Sequence, residues 1–165
     1  MQTDHAVDPA AHAAAERFRL ESQFRNGANW FFWIAGMSLI NSLIGLFGGN
    51  WSFVIGLGLT QVIDAMLTTG DGEIGSRLIG TLLTAGVAGI FLAFGHFARE
   101  GRRAVFIAGI LLYVIDTLIF VVVRDVLAIA LHAFALFCLV KGMQARDQLD
   151  RLPAPRAAAV GLASR

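Results

Sequence analysis

Between Asn29 and Met143 the chain is five apolar stretches, at 29–48, 51–67, 77–98, 104–123 and 125–142, separated by short polar or charged breaks. An α-helix rises ~1.5 Å per residue, so about 20 apolar residues are needed to cross a hydrocarbon core of roughly 30 Å. The first, third and fourth stretches reach that length, and the second and fifth fall slightly short. A soluble bundle of this size needs helices with a polar outer face, and a segment such as 104–115, AVFIAGILLYVI, has none. The expected fold is all-α: a multi-pass transmembrane helical bundle with four to five membrane-embedded helices spanning 29–143.

Charge distribution agrees with that reading. Charged residues make up 15% of the chain, against about 25% in soluble domains. Of the 13 basic and 12 acidic residues, 12 fall between Asn29 and Met143, mostly at the breaks. Residues 1–28 form a polar N-terminal tail without the short apolar core and small-residue cleavage site of a signal peptide, so the first membrane helix is expected to direct insertion. Asp8-Pro9 suits a helix start, and this tail reads either as a helix on the membrane surface or as a frayed end. Residues 144–165 form a C-terminal tail whose last part, RLPAPRAAAVGLASR, is Ala/Pro-rich and is expected to be disordered.

Several function classes find no support. A formal charge of +1, with no basic stripe interleaved with aromatics, gives no sign of nucleic-acid binding. Cys138 is the single cysteine, so no intramolecular disulfide can form. There is no HExxH, GxSxG or paired CxxC, and zinc wants three or four ligands. Of the remaining histidines, His96 lies at the far end of its stretch and His5 and His12 lie in the tail. The Gly-rich segment TTGDGEIGSR is acidic and lacks the lysine of a phosphate loop. No cofactor, no metal and no enzymatic activity are expected, and the lipid bilayer is the one partner the composition itself names.

Short cytoplasmic loops carry the excess of Lys and Arg. If all five stretches span, the flanking basic residues divide five to seven between the two sides, which decides nothing. If only four span, with the second stretch re-entrant or interfacial, they divide ten to two and both termini are cytoplasmic. The second stretch carries Ser52, Gly56, Thr60 and Asp64 at four-residue spacing, with Gln61 beside them. That stripe suits a closely packed spanning helix or a tucked segment covered by protein. The four-span arrangement is the one the charges favour.

Ionisable groups at membrane depth are costly unless paired or hydrated, so each is a candidate functional position. Asp64, Asp116 and His132 are three such groups, with Tyr113 close to Asp116. Asp116 lies eight residues before Arg124 and His132 eight residues after it. If Arg124-Asp125 is the tight turn of a helical hairpin, both side chains lie ~12 Å from that turn and share a depth. Such a pair is read as a structural tie between helices, as a proton relay, or as part of a metal or catalytic site. Small residues at four-residue spacing, Thr81, Ala85, Gly89 and Ala93, are expected to make a close helix contact. The run Ile40-Asn41-Ser42-Leu43-Ile44 is matched, 75 residues on, by Ile115-Asp116-Thr117-Leu118-Ile119, either as a duplicated hairpin or by chance within a small apolar alphabet.

The segment from Gly95 to Met143, GHFAREGRRAVFIAGILLYVID…RDVLAIALHAFALFCLVKGM, resembles small bacterial multi-pass membrane proteins with no assigned activity. The resemblance covers about a third of the chain, implies a bacterial inner-membrane protein and transfers no catalytic residue. The function expected from all this is a non-enzymatic membrane protein that packs against itself or against another membrane protein. The alternative is a small oligomeric transporter or proton-conducting subunit built around Asp116 and His132.

Overall fold

The computed structural model describes residues 9–47, 57–60, 62 and 74–153. Four long helices run through them: α1 Pro9–Leu46, α2 Ile74–Arg99, α3 Arg103–Val123 and α4 Val126–Arg151. No strand occurs among the described residues, and a helical turn is described at 58–60 and 62.

Local chemistry explains the boundaries. Pro9 opens α1 at a position whose N–H has no intrahelical partner in any helix. After α2, Gly101 takes a left-handed φ of 82°. Its N–H then donates to the Ala98 carbonyl (2.9 Å) and the Arg102 N–H to the Phe97 carbonyl (3.4 Å), a Schellman stop. The same arrangement ends α3, where Arg124 sits at φ 59° and donates to Val121 while Asp125 donates to Phe120. The Asp125 carboxylate accepts from the Ala128 N–H at 3.0 Å and so caps α4. Arg124-Asp125 is therefore a two-residue turn.

α1 is 38 residues long, ~57 Å at the helical rise and nearly twice a hydrocarbon core. Residues 9–28 are neither a separate surface helix nor a frayed tail: they continue the axis of the first apolar stretch unbroken. The reason lies in a stripe of Leu20, Phe24, Ala28 and Phe31, which runs from the polar half into the core. Phe24 packs on Phe106, ring centroids 6.0 Å apart, and lies under the Arg146 guanidinium at 5.9 Å. α4 likewise extends to Arg151, beyond the expected end at 142.

The four helices alternate in direction. Asn29 of α1 meets Arg99 at the end of α2, through bonds of 3.0 and 2.5 Å, and Phe32 closes on Gly95, so α1 and α2 are antiparallel. Gly27 meets Gly142 and Arg17 bonds the Leu152 and Pro153 carbonyls, making α1 and α4 antiparallel as well. Arg103 pairs with Asp147 across α3 and α4 at 3.4 Å. An aromatic cluster of Phe31, Phe91, Phe94, Phe106 and Tyr113 fills the centre, with ring centroids 5.7–6.3 Å apart.

Two consequences follow from this topology. Nine of the basic side chains described gather at one end of the bundle, and Arg124 is the tenth, at the opposite end. α1 also finishes, and α2 begins, at the Arg124 end. Among the described residues three helical segments, Leu78–Arg99, Arg103–Val123 and Val126–Arg151, are long and apolar enough to cross a membrane, and only 28% of each membrane-length window is buried within the chain. Their outer faces are apolar, Leu82, Val122 and Phe137 among them, the reverse of a soluble bundle. That is fewer than the four to five expected. The apolar half of α1 is diluted by Asn29, Ser38, Asn41 and Ser42, and most of 51–67 lies outside the described residues. Within 51–67, Leu57 is non-helical and residues 58–60 and 62 are helical.

Candidate functional site

The site assembles at mid-height, where α3 faces both the turn at 57–60 and α4. Asp116 is 5% exposed, and both of its oxygens are engaged. Oδ2 accepts from the Gly58 N–H and Oδ1 from the Leu59 N–H, each at 2.8 Å. The preceding amide, Leu57, donates to Ser38 Oγ at 2.7 Å, and that hydroxyl donates in turn to the Ile34 carbonyl at 2.9 Å. Thr60 Oγ1 donates back to the Leu57 carbonyl at 2.7 Å. The first N–H groups of a helix have no intrahelical acceptor and carry the positive end of its dipole. Here Ser38 of α1 and Asp116 of α3 supply those acceptors, and the carboxylate adds the complementary charge.

Gly58 makes the approach possible. A Cβ there would stand 2.6 Å from Phe120 Cε2, so any other residue would have to push the Phe120 ring aside.

His132 enters the same cluster from α4, fully buried. Its ring lies stacked on Tyr113 (4.9 Å, 17°) and tilted against Phe120 (4.5 Å, 44°). Nδ1 stands 2.8 Å from the Ala128 carbonyl; a carbonyl only accepts, so Nδ1 carries the proton of that bond. Nε2 then faces Asp116 Oδ2 at 3.4 Å without the geometry of a hydrogen bond, and Tyr113 Oη is likewise buried with no partner. Beside Asp116 a cavity of about 90 Å³ is lined by Leu57, Leu59, Phe91 and Ile119, and His132 does not reach it.

Asp116, His132 and Tyr113 are thus brought together, across the hairpin whose turn is Arg124-Asp125. Asp64 lies outside the described residues. The tie holding Asp116 is not His132 but the backbone amides of Gly58 and Leu59, which sequence reasoning missed because backbone donors carry no residue signature. Phe120 and Ser38, which hold the cluster from either side, read as ordinary apolar and small positions of their stretches.

Of the packing stripe expected at Thr81, Ala85, Gly89 and Ala93, the last three face outward. Ala85, Gly89 and Ala93 are exposed, and a Cβ on Gly89 meets nothing within 4 Å. The buried face of α2 is one residue earlier: Gly80, Thr84, Ala88, Phe91, Gly95 and Ala98. The phenyl ring of Phe32 takes the space at Gly95, 2.6 Å from where a Cβ would stand. The tightest crossing is between Gly27 and Gly142, where a Cβ on either would come within 2.4–2.6 Å of the other's Cα. No cluster of three or more metal-ligating side chains occurs among the described residues.

Comparison of the chain with protein-family models, with characterised proteins and with solved structures finds no match. The geometry alone carries the functional reading.

Proposed function

We propose that this chain is a non-enzymatic integral membrane protein of four spans, with both termini on the cytoplasmic side. Its work is association with another copy, or with another membrane protein, within the lipid bilayer. The observation that carries this reading is the engagement of Asp116. A carboxylate with both oxygens on backbone amides, beside a cavity of about 90 Å³ with an almost wholly apolar lining, is an anchor for chain packing. Sites for solutes run to several hundred Å³ with convergent polar groups. In this reading α1 is the first span, and 57–60 is the tucked piece that Asp116 holds. The gathering of basic side chains at the end opposite Arg124 supports a cytoplasmic position for that end. An inner-membrane location is part of the same proposal.

Reporters active only in the cytoplasm, fused to each end, test the topology. Activity at both ends is expected; an inactive C-terminal fusion beside an active N-terminal one refutes four spans and restores five. A second reading, a small oligomeric proton-conducting subunit, draws on one observation: His132 Nε2 and Tyr113 Oη face the Asp116 region with no partner. In liposomes that reading requires a pH-driven flux abolished by Asp116→Asn, and the anchor reading requires none.

A further inference from the structure

We propose that a groove between α1 and α4 binds the headgroup of an anionic glycerophospholipid. The groove has a volume of about 630 Å³ and lies on the outer side of the Gly27–Gly142 crossing, where the two helices pass from the apolar belt into the basic end. Its walls combine aromatic, polar and basic side chains. At one end stand Trp30, edge-on to Phe134 at 5.4 Å, and Phe137, 58% exposed. Ser22, Gln23 and Asn26 line the same wall of α1, with the cation Arg19 and the exposed Phe18 beyond them and the cation Lys141 on α4.

Between them these groups suit the acyl chains, the glycerol and ester oxygens, and the phosphate of a phospholipid. Trp and aromatic side chains favour the boundary between chains and headgroups, hydroxyl and amide groups donate to ester and glycerol oxygens, and basic pockets on membrane helices take anionic headgroups. No carboxylate lines the groove to compete. Asp147 and Asp150 of α4 are paired with Arg103 and Arg146, and neither Arg19 nor Lys141 forms an ion pair among the described residues. Lys141 Nζ lies 5.6 Å over the Phe137 ring. A choline headgroup would set a third cation beside these two, so the site discriminates by charge as well as by shape. The proposal rests on the membrane placement given above, and not on which side of the membrane is cytoplasmic.

The full chain, purified in a neutral maltoside detergent, is mixed with phosphatidylglycerol or phosphatidylcholine of identical acyl chains. Bound lipid is counted by native mass spectrometry and the unfolding temperature is recorded. Two basic groups at an anionic headgroup correspond to a preference of roughly ten- to thirtyfold for phosphatidylglycerol, with a matching rise in unfolding temperature. The double variant Arg19→Gln/Lys141→Gln is expected to bind the two lipids about equally. The charge-matched control Arg25→Gln/Arg151→Gln, which changes exposed residues outside the groove, is expected to keep the preference. Equal binding by the unaltered chain, or equal loss in both double variants, overturns the site. Partition of the chain into water without detergent is a different result: it refutes the membrane placement itself, and the site with it.

Discussion

Replacing Asp116 by Asn separates a backbone anchor from an Asp–His tie. The aspartate accepts one charge-assisted bond on each oxygen, from Gly58 and Leu59. Asparagine keeps one acceptor and turns an NH₂ toward the other amide, so one bond is lost and one buried N–H is left without an acceptor. A charge-assisted bond contributes about 1.5–3 kcal/mol in net terms, and bonds between membrane helices sit lower, near ~0.6–2 kcal/mol, because the unfolded chain in a membrane also finds partners. Asp116→Asn should therefore cost about 1.5–2.5 kcal/mol, and Asp116→Ala more, since it strands both amides. His132→Leu removes a ring whose Nε2 makes no hydrogen bond and whose other nitrogen binds the carbonyl of its own helix. Leucine refills much of the space between Tyr113 and Phe120, so the cost should stay below about 1 kcal/mol. Unfolding by denaturing detergent titrated into mixed micelles would rank the variants. The double variant should show little coupling, because the two side chains act on different partners. If His132→Leu costs as much as Asp116→Asn, with a coupling above ~1 kcal/mol, the Asp–His contact is the working interaction and the anchor is not.

The remaining predictions concern the backbone. Gly142→Ala should destabilise by about 1–3 kcal/mol in the same titration, since its Cβ would stand 2.6 Å from the Gly27 Cα with no flexible side chain to yield. Gly89→Leu, facing open space, should leave monomer stability unchanged; a loss there would show that the outward stripe of α2 packs against a second copy. Arg124→Gly should raise stability by about 0.5–1 kcal/mol, because glycine adopts the left-handed φ of 59° without the steric cost a side chain carries, and a lower midpoint would assign the arginine a role beyond the turn.

Some of this fold is legible in the residues because it depends on sums over neighbours. Apolar length is such a sum, and the stretches at 77–98, 104–123 and 125–142 end within a few residues of α2 and α3 and at the start of α4. The turn at Arg124-Asp125 is local too, and once it is given, equal spacing sets Asp116 and His132 at one depth. Rotation about a helix axis is not local. α2 carries two stripes of small residues, Gly80, Thr84 and Ala88 beside Thr81, Ala85, Gly89 and Ala93, and four-residue spacing fits both equally well. Which stripe is buried is decided by Phe32 and the aromatic rings of α1 and α3, which need the space on the first face. The apolar side of 9–28, with Leu20 and Phe24, shows in the residues, but only packing decides that it is buried against the bundle. Hydropathy ranks side chains, and so it placed Asp116 in an apolar helix and left its partner unnamed. The partner is a pair of backbone amides, freed by the helix start at Gly58 and brought into range by tertiary packing alone.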